Sequence, residues 1–329
     1  MIPSSPSGPS GGRIGNGSLS LRGGCALQEM APPLFLGEGR GERHPRVRAS
    51  LSARPAGARH RQPGAPRQRN GLLFVGGILV GLVLALALLG LVWTPHDPLA
   101  MHPLLRGQGP SAAYLLGTDQ YGRDILSRLL RGAWLALLVG GFAVGIGVVV
   151  GVPLGALAGF RRGWLDEAIM RAMDALLAFP AILLAIAIVG VLGPGLFHAM
   201  IAIGAAYVPI FARLARASVI GQLEAGYVDA ARATGCRAGR ILWVHILPNG
   251  LGPLIIQATV GLGSAILAEA ALSYLGLGVQ PPDPSWGQML NDAHNYLNVA
   301  PWLAVFPGLA IAVTVLGFNL LGDGLRDRV

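Results

Sequence analysis

Residues Glu224–Asn249 read EAGYVDAARATGCRAGRILWVHILPN, the longest polar interruption in the apolar second half of the chain. Five arginines lie in or just before it: Arg213, Arg216, Arg232, Arg237 and Arg240. Tyr227, Ala230, Ala231 and Thr234 recur at helical spacing and are expected to share one face. Gly235 then supplies the residue that most easily adopts positive φ, so it can close the helix. A second helical run is expected from Arg237, stopped by Pro248. The stretch therefore reads as helix, tight turn, helix. Alanines on its face let another surface come close.

The composition around it belongs to a membrane protein. Of 329 residues 53% are hydrophobic and 12% charged, and the mean hydropathy is +0.56. The chain has no lysine, so the positive side of its +9 net charge is all arginine. A P-loop and a Schiff-base site both need that amine and are excluded. Two cysteines, Cys25 and Cys236, imply no disulfide framework. No spaced His/Cys cluster suggests a metal, and no cofactor is expected.

Residues 1–70 are rich in Gly, Pro, Ser and Arg, with eleven arginines against Glu29, Glu38 and Glu42. Such a segment cannot bury enough apolar surface to offset its ordering entropy, so a disordered tail is expected. Phe35 is its one aromatic residue, which argues against nucleic-acid binding by base stacking. Arg54, Arg59, Arg61, Arg67 and Arg69 lie close to the first apolar run, where anionic lipid headgroups would meet them. No apolar core follows Met1, so no secretory signal is expected, and Met30 is an internal candidate start.

Six apolar runs follow, near residues 71–93, 132–160, 174–192, 196–215, 250–274 and 301–322. Gly193-Pro194-Gly195 divides the third from the fourth. The organisation expected is a tail over 1–70, a first span and outer loop over 71–130, a five-helix core over 131–323, and a C-terminus over 324–329. Even-numbered spanning puts both ends on one side. Arginine is concentrated on the side of the tail, the 213–249 loop and the C-terminus, which places them in the cytoplasm. Gly147, Gly151, Gly155 and Gly159 form a small-residue stripe suited to close helix approach. Pro153, Pro180, Pro209, Pro253 and Pro307 mark the later spans with kinks.

Several segments together resemble the permease subunits of ABC importers. Asp229-Ala230-Ala231, Gly235, Leu247 and Pro248 stand in register with their cytoplasmic coupling loop. Asp229 stands where Glu is usual, and His245 where Ile is usual, with Ile246 one place later. Leu116-Gly117-Thr118-Asp119 with Gly122-Arg123-Asp124 is similar to the outer-loop signature of the peptide and nickel branch. So are Ser273 through Pro282, Pro284 through Gly287, and the closing Phe318 through Asp327, although the chain stops at Val329 without a short basic extension. The resemblance covers about residues 71–329. It implies an all-α integral membrane protein of six transmembrane helices with the type I importer bundle, in a bacterial inner membrane. It implies a second permease subunit, two separate ATPase subunits that do the hydrolysis, and an extracytoplasmic substrate-binding protein. Glu224, Asp229, Ala230, Ala231, Gly235, Leu247 and Pro248 would then couple to the ATPase. Asp119, Gly122, Arg123 and Asp124 would face the receptor protein; equally, they would cap the entry to the second span.

Glu269 is the acidic residue deep inside a span, so it should face the bundle interior. It would line the solute path or bond to a neighbouring helix. His198, Asp174 and Asp323 lie near span ends and read as interfacial. Ser285 with Gln288 makes a candidate capping box. The rival class is a secondary transporter driven by an ion gradient, but no clear repeat relates the halves and no buried base pairs with Glu269. The topology is testable by fusion. Alkaline phosphatase joined after Ala112 should be active and after Arg240 inactive, with the reverse pattern for a cytoplasmic fluorescent reporter; the opposite assignment overturns the orientation.

Overall fold

The computed structural model describes residues 71–328. The tail expected over 1–70, with Cys25, Met30 and the near-membrane arginines, lies outside the described residues, as does Val329. Helix α1 spans Gly71–Val92 and α2 Ile125–Ile146. A π turn at Gly147–Gly151 leads straight into α3, Val152–Arg161. Helices α4 (Gly163–Leu177), α5 (Ala181–Leu192) and α6 (Leu196–Gln222) follow. Short helices α7 (Gly226–Ala233), α8 (Ala238–Arg240) and α9 (Leu247–Asn249) precede α10, Leu251–Tyr274. Last come α11 (Trp286–Ala293) and α12 (Trp302–Arg326).

Five of these are long and apolar enough to cross a membrane: α1, the continuous α2–α3 stretch, α6, α10 and α12. The third span expected at 174–192 is not one straight helix. Pro180 sits just before α5, and α4 and α5 meet at 88°, so a sixth span exists only as this bent pair. A residue preceding proline is pushed out of the helical region, which breaks the run at Phe179. Helix α5 has 12 residues. At about 1.5 Å per residue that is shorter than a bilayer core of roughly 30 Å. Helix α4 was not expected from the sequence. Two of its carboxylates are held by α6: Arg216 donates to both oxygens of Asp166 at 2.6 Å, and Arg213 Nη2 donates to Asp174 at 2.5 Å. The second span also begins earlier than its uncharged run, at Ile125, taking Arg128 and Arg131 into the helix.

Inside lipid, helices gain little from hydrophobicity and associate by close packing. The glycine stripe supplies it. A methyl group at Gly155 would overlap the carbonyl of Ala212, and one at Gly151 that of Val208. At Gly159 it would stand 2.8 Å from the Arg216 carbonyl oxygen. The partners step by four along α6, so two ridges of backbone lie against each other. One apolar core gathers Val139, Val189, Ile203, Phe211 and Leu272 from α2, α5, α6 and α10. A second joins α1, α2, α10, α11 and α12 around Ile125, Ile266, Trp286 and Phe318. The outer side of α1 carries exposed apolar residues such as Phe74, Ile78 and Leu88, as a lipid-facing helix does.

Both π turns precede a proline. Pro153 follows the first closely, and Pro248 follows a second at Ile241–Ile246. A proline removes one helical hydrogen bond and crowds a carbonyl one turn back, and the widened turn accommodates both. Replacing Gly155 by Leu should cost more than the usual ~1–3 kcal/mol of overpacking, because the obstacle is backbone. Gly141→Leu, where space is open, should leave the melting temperature in detergent near the wild-type value. Equal melting of the two variants would contradict the ridge packing.

Candidate functional site

The loop after α6 is built on an apolar foot. Val228 of α7 is 0% exposed and packs with Ala156, Val219, Ile241, Leu242 and Ile246. Tyr227 and Ala231 lie half-buried beside it, and the Tyr227 hydroxyl donates to Gln222 Oε1 at 2.8 Å. The four residues expected on one face are therefore split. Tyr227 and Ala231 turn toward the foot, while Ala230 and Thr234 are exposed, together with Asp229, Arg232 and Ala233. A helix of eight residues is marginal alone, so the buried side fixes it and the exposed side presents small residues. Glu224, just before α7, is exposed. Asp229 in the first turn accepts from Arg232 Nη1 at 3.2 Å. Such an acidic group suits the helix N-terminal dipole.

Gly235 closes α7 at φ +74°. Its N–H donates to the Arg232 carbonyl at 3.0 Å, and the Cys236 N–H donates to that of Ala231 at 3.1 Å. These two bonds form a Schellman cap, which requires a left-handed residue at that place. Nothing lies within 4 Å of where a Gly235 side chain would start. Pro248 does not stop the second run. The π turn lets α9 pass through it, and the break comes at Gly250. Pro248 is exposed and Leu247 half-buried. The displaced isoleucine also resolves: Ile246 is fully buried in the foot and His245 only partly.

At the opposite end, Asp119, Arg123 and Asp124 point inward. They are 4%, 6% and 2% exposed, and Arg128 is 1% exposed. Asp119 Oδ1 accepts from the Tyr121 and Arg123 N–H groups at 2.8 and 2.9 Å, and Oδ2 from Arg123 Nε at 2.6 Å. Arg128 Nε stands 3.6 Å from the same Oδ2, and Arg123 Nη2 lies 3.7 Å from Asp292 of α11. Asp124 caps α2, accepting from the Ser127 N–H at 3.0 Å and hydroxyl at 2.5 Å. Gly122, at φ +78°, is pressed on the His102 carbonyl. These four residues fold the loop between α1 and α2, and the side chains of Asp119, Arg123 and Asp124 are buried rather than on its surface. Tyr121, 43% exposed with the Arg123 guanidinium over its ring, is the outward group of that turn. Arg128 and Asp292 escaped the sequence reading. Arg128 lies one helical turn after Asp124, a spacing that would have flagged it.

Glu269 is 1% exposed. The Ser273 hydroxyl donates to its Oε1 at 2.6 Å. At roughly 100° per residue, Glu269 and Ser273 lie across α10 from Ser264, Ala268 and Ala271. The latter line an open, mainly apolar groove of about 410 Å³ with Tyr207 and Gln257. Glu269 is absent from that lining and belongs to the packed side. His198 is tied to the Gly193 carbonyl through Nδ1 at 2.9 Å. Among the described residues no group of three His, Cys, Asp or Glu could hold a metal.

Comparison with known proteins matches residues 151–329 to the family described as binding-protein-dependent transport system inner membrane component. The dipeptide transport system permease protein DppC of Alkalihalophilus pseudofirmus is 49% identical over 262 residues, covering 80% of this chain and 86% of the relative. The di/tripeptide transport system permease protein DppC of Pseudomonas aeruginosa is 47% identical, covering 78% and 86%. The glutathione transport system permease protein GsiD of Pectobacterium atrosepticum is 43% identical, covering 79% and 87%. Among solved structures, a chain of the MetNI methionine ABC transporter in an inward-facing conformation aligns with TM-score 0.52 at 22% identity, over 60% of this chain and 94% of that one. That likeness concerns the fold. The chain therefore belongs to the inner-membrane components of binding-protein-dependent transport systems, as a multi-pass permease subunit of an ABC importer that does not itself carry the catalysis.

Proposed function

We propose that this chain is one half of the translocation pathway of an ATP-driven importer of short peptides, coupled through α7 to an ATPase subunit. The observation that carries the reading is α7 itself: small exposed residues on one side, and Val228 sunk in an apolar foot on the other. Ala230 and Ala233 allow close approach, Asp229 offers a charge, and the Gly235 cap holds the angle. Glu224, Leu247 and Pro248 belong to the same coupling segment in this reading. A second permease subunit completes the pathway, two ATPase subunits dock on the coupling loops, and an extracytoplasmic binding protein delivers cargo. The arginine distribution supports a cytoplasmic α7 and cytoplasmic termini. The cargoes for which three relatives are named, a dipeptide, di- and tripeptides, and glutathione, support a short peptide here.

Motion at α7 reaches the membrane through its foot. Val228 shares one apolar cluster with residues that lead into α10 and with residues of α3 and α6. Helices α3 and α6 are locked by the glycine ridge, so they move as one. Helix α10 carries part of the groove wall. A displacement of α7 by closing ATPases thus shifts α10 against the α3–α6 pair, which is the small interface sliding that alternates access. The outer cluster around Asp119 and Arg123 supports the receptor-facing surface from beneath; Tyr121 and its neighbours would meet the binding protein.

Co-purification tests the docking. Wild type in detergent should retain the ATPase, and Gly235→Trp should lose it. That variant places a bulky group on the exposed turn and costs about 1–2 kcal/mol of left-handed strain. Retention by both would remove the docking claim. Val228→Ala should keep the ATPase bound yet lower uptake per ATP hydrolysed, since it empties part of the foot at a local cost on the order of 2 kcal/mol. Unchanged coupling in proteoliposomes would separate the foot from transmission.

A further inference from the structure

One buried acid is left without a part in the coupling route. Glu269 lies on the packed side of α10, with Oε1 accepting from Ser273 and Oε2 without a hydrogen-bond partner in the structure. A buried carboxyl in an apolar setting is costly to keep, so its neighbours should reveal its use. Ser273 is fully committed. Its hydroxyl donates to Glu269 and accepts from the Val279 N–H at 3.0 Å. Gly278 is pressed so closely on that hydroxyl that a methyl there would overlap it. Ser285, 1% exposed, lies at the start of the next helix.

Ser285 begins α11, accepting from the Gln288 N–H at 3.1 Å. Helix α11 then rests on one turn of α10. A methyl at Gly287 would overlap the Ala270 carbonyl, and Asn291 Nδ2 donates to the Tyr274 carbonyl at 2.8 Å. Trp286 Nε1 donates to the Leu129 carbonyl of α2 at 3.1 Å, over Gly132. At its far end Asp292 reaches Arg123. Glu269 is thus placed where the chain leaving α10 and the chain entering α11 come together.

We propose that Glu269 is a positioning residue for transport: through Ser273 it fixes the turn that follows α10 and so seats α11 between α2 and α10, and it does not touch the solute. This role needs a hydrogen-bond acceptor at Oε1, which glutamine also offers, and it needs no charge. A residue lining the path would use the charge and would face the groove. The uptake arm rests on the importer reading of the preceding section; the seating of α11 does not.

The test uses the full chain with Cys25→Ser and Cys236→Ser, carrying Met289→Cys in α11, and a membrane-impermeant maleimide applied from outside. Met289 is buried, so wild-type labelling should be slow. Glu269→Leu should raise the labelling rate about fivefold by local opening, and Glu269→Gln should leave it unchanged. In the reconstituted importer, without the cysteine changes, uptake of a radiolabelled dipeptide should fall about tenfold in Glu269→Leu, the scale of one lost hydrogen bond, and be kept by Glu269→Gln. Loss of uptake in Glu269→Gln with α11 still protected would overturn the proposal, because the charge would then be in use. Unchanged labelling in Glu269→Leu would overturn it as well. If Glu269→Leu fails to insert, Ser273→Ala takes its place with the same expected rise in labelling, and no rise there counts against the proposal. Absence of dipeptide uptake in the wild-type complex would instead count against the importer's cargo and leave the labelling result standing.

Discussion

The contact on which the bundle depends is made by main chain. Gly151, Gly155 and Gly159 set one helix directly on the carbonyls of Val208, Ala212 and Arg216. In lipid such a contact has no hydrophobic drive behind it, and dispersion between closely approached backbones is what remains. It also fixes where everything downstream sits. Helix α6 ends at the loop carrying α7, and α3 contributes Ala156 to the foot beneath it. A bundle held by long side chains could yield at this seam. One held by backbone moves as a body.

The two π turns complement that rigidity. Each lies just ahead of a proline and each changes the helix phase without breaking it. The first lies along the glycine seam; the second joins α8 to α9, ahead of α10. A widened turn leaves a carbonyl with a less regular partner, so it is a natural place for bending. The stiff seam therefore has one soft turn at its start, and the second lies at the end of the segment between α6 and α10.

Local features of the fold were visible in the sequence because they depend on local chemistry. Gly193-Pro194-Gly195 does separate α5 from α6, Gly235 does take the left-handed turn, and the glycine stripe does face a neighbour. What escaped depends on partners far along the chain. Helix α4 looked like a charged loop because Asp166 and Asp174 find their arginines 50 and 39 residues away. Asp119 and Arg123 looked like surface charges because Arg128 and Asp292, which help bury them, come from the next helix and from α11. Pro248 read as a stop because a π turn is not written in any single residue. Glu269 was correctly placed inside the bundle, but the side it faces follows from helix phase and packing together.

The ion pairs between α4 and α6 bear on how a partner would find this protein. Arginine sets the orientation of the chain during insertion, when each guanidinium acts singly. In the folded state Arg213 and Arg216 are matched by Asp174 and Asp166, Arg171 by Glu167 and Arg232 by Asp229. Each of these four arginines therefore adds less to the long-range field than an isolated guanidinium would, because its carboxylate partner cancels most of it at a distance.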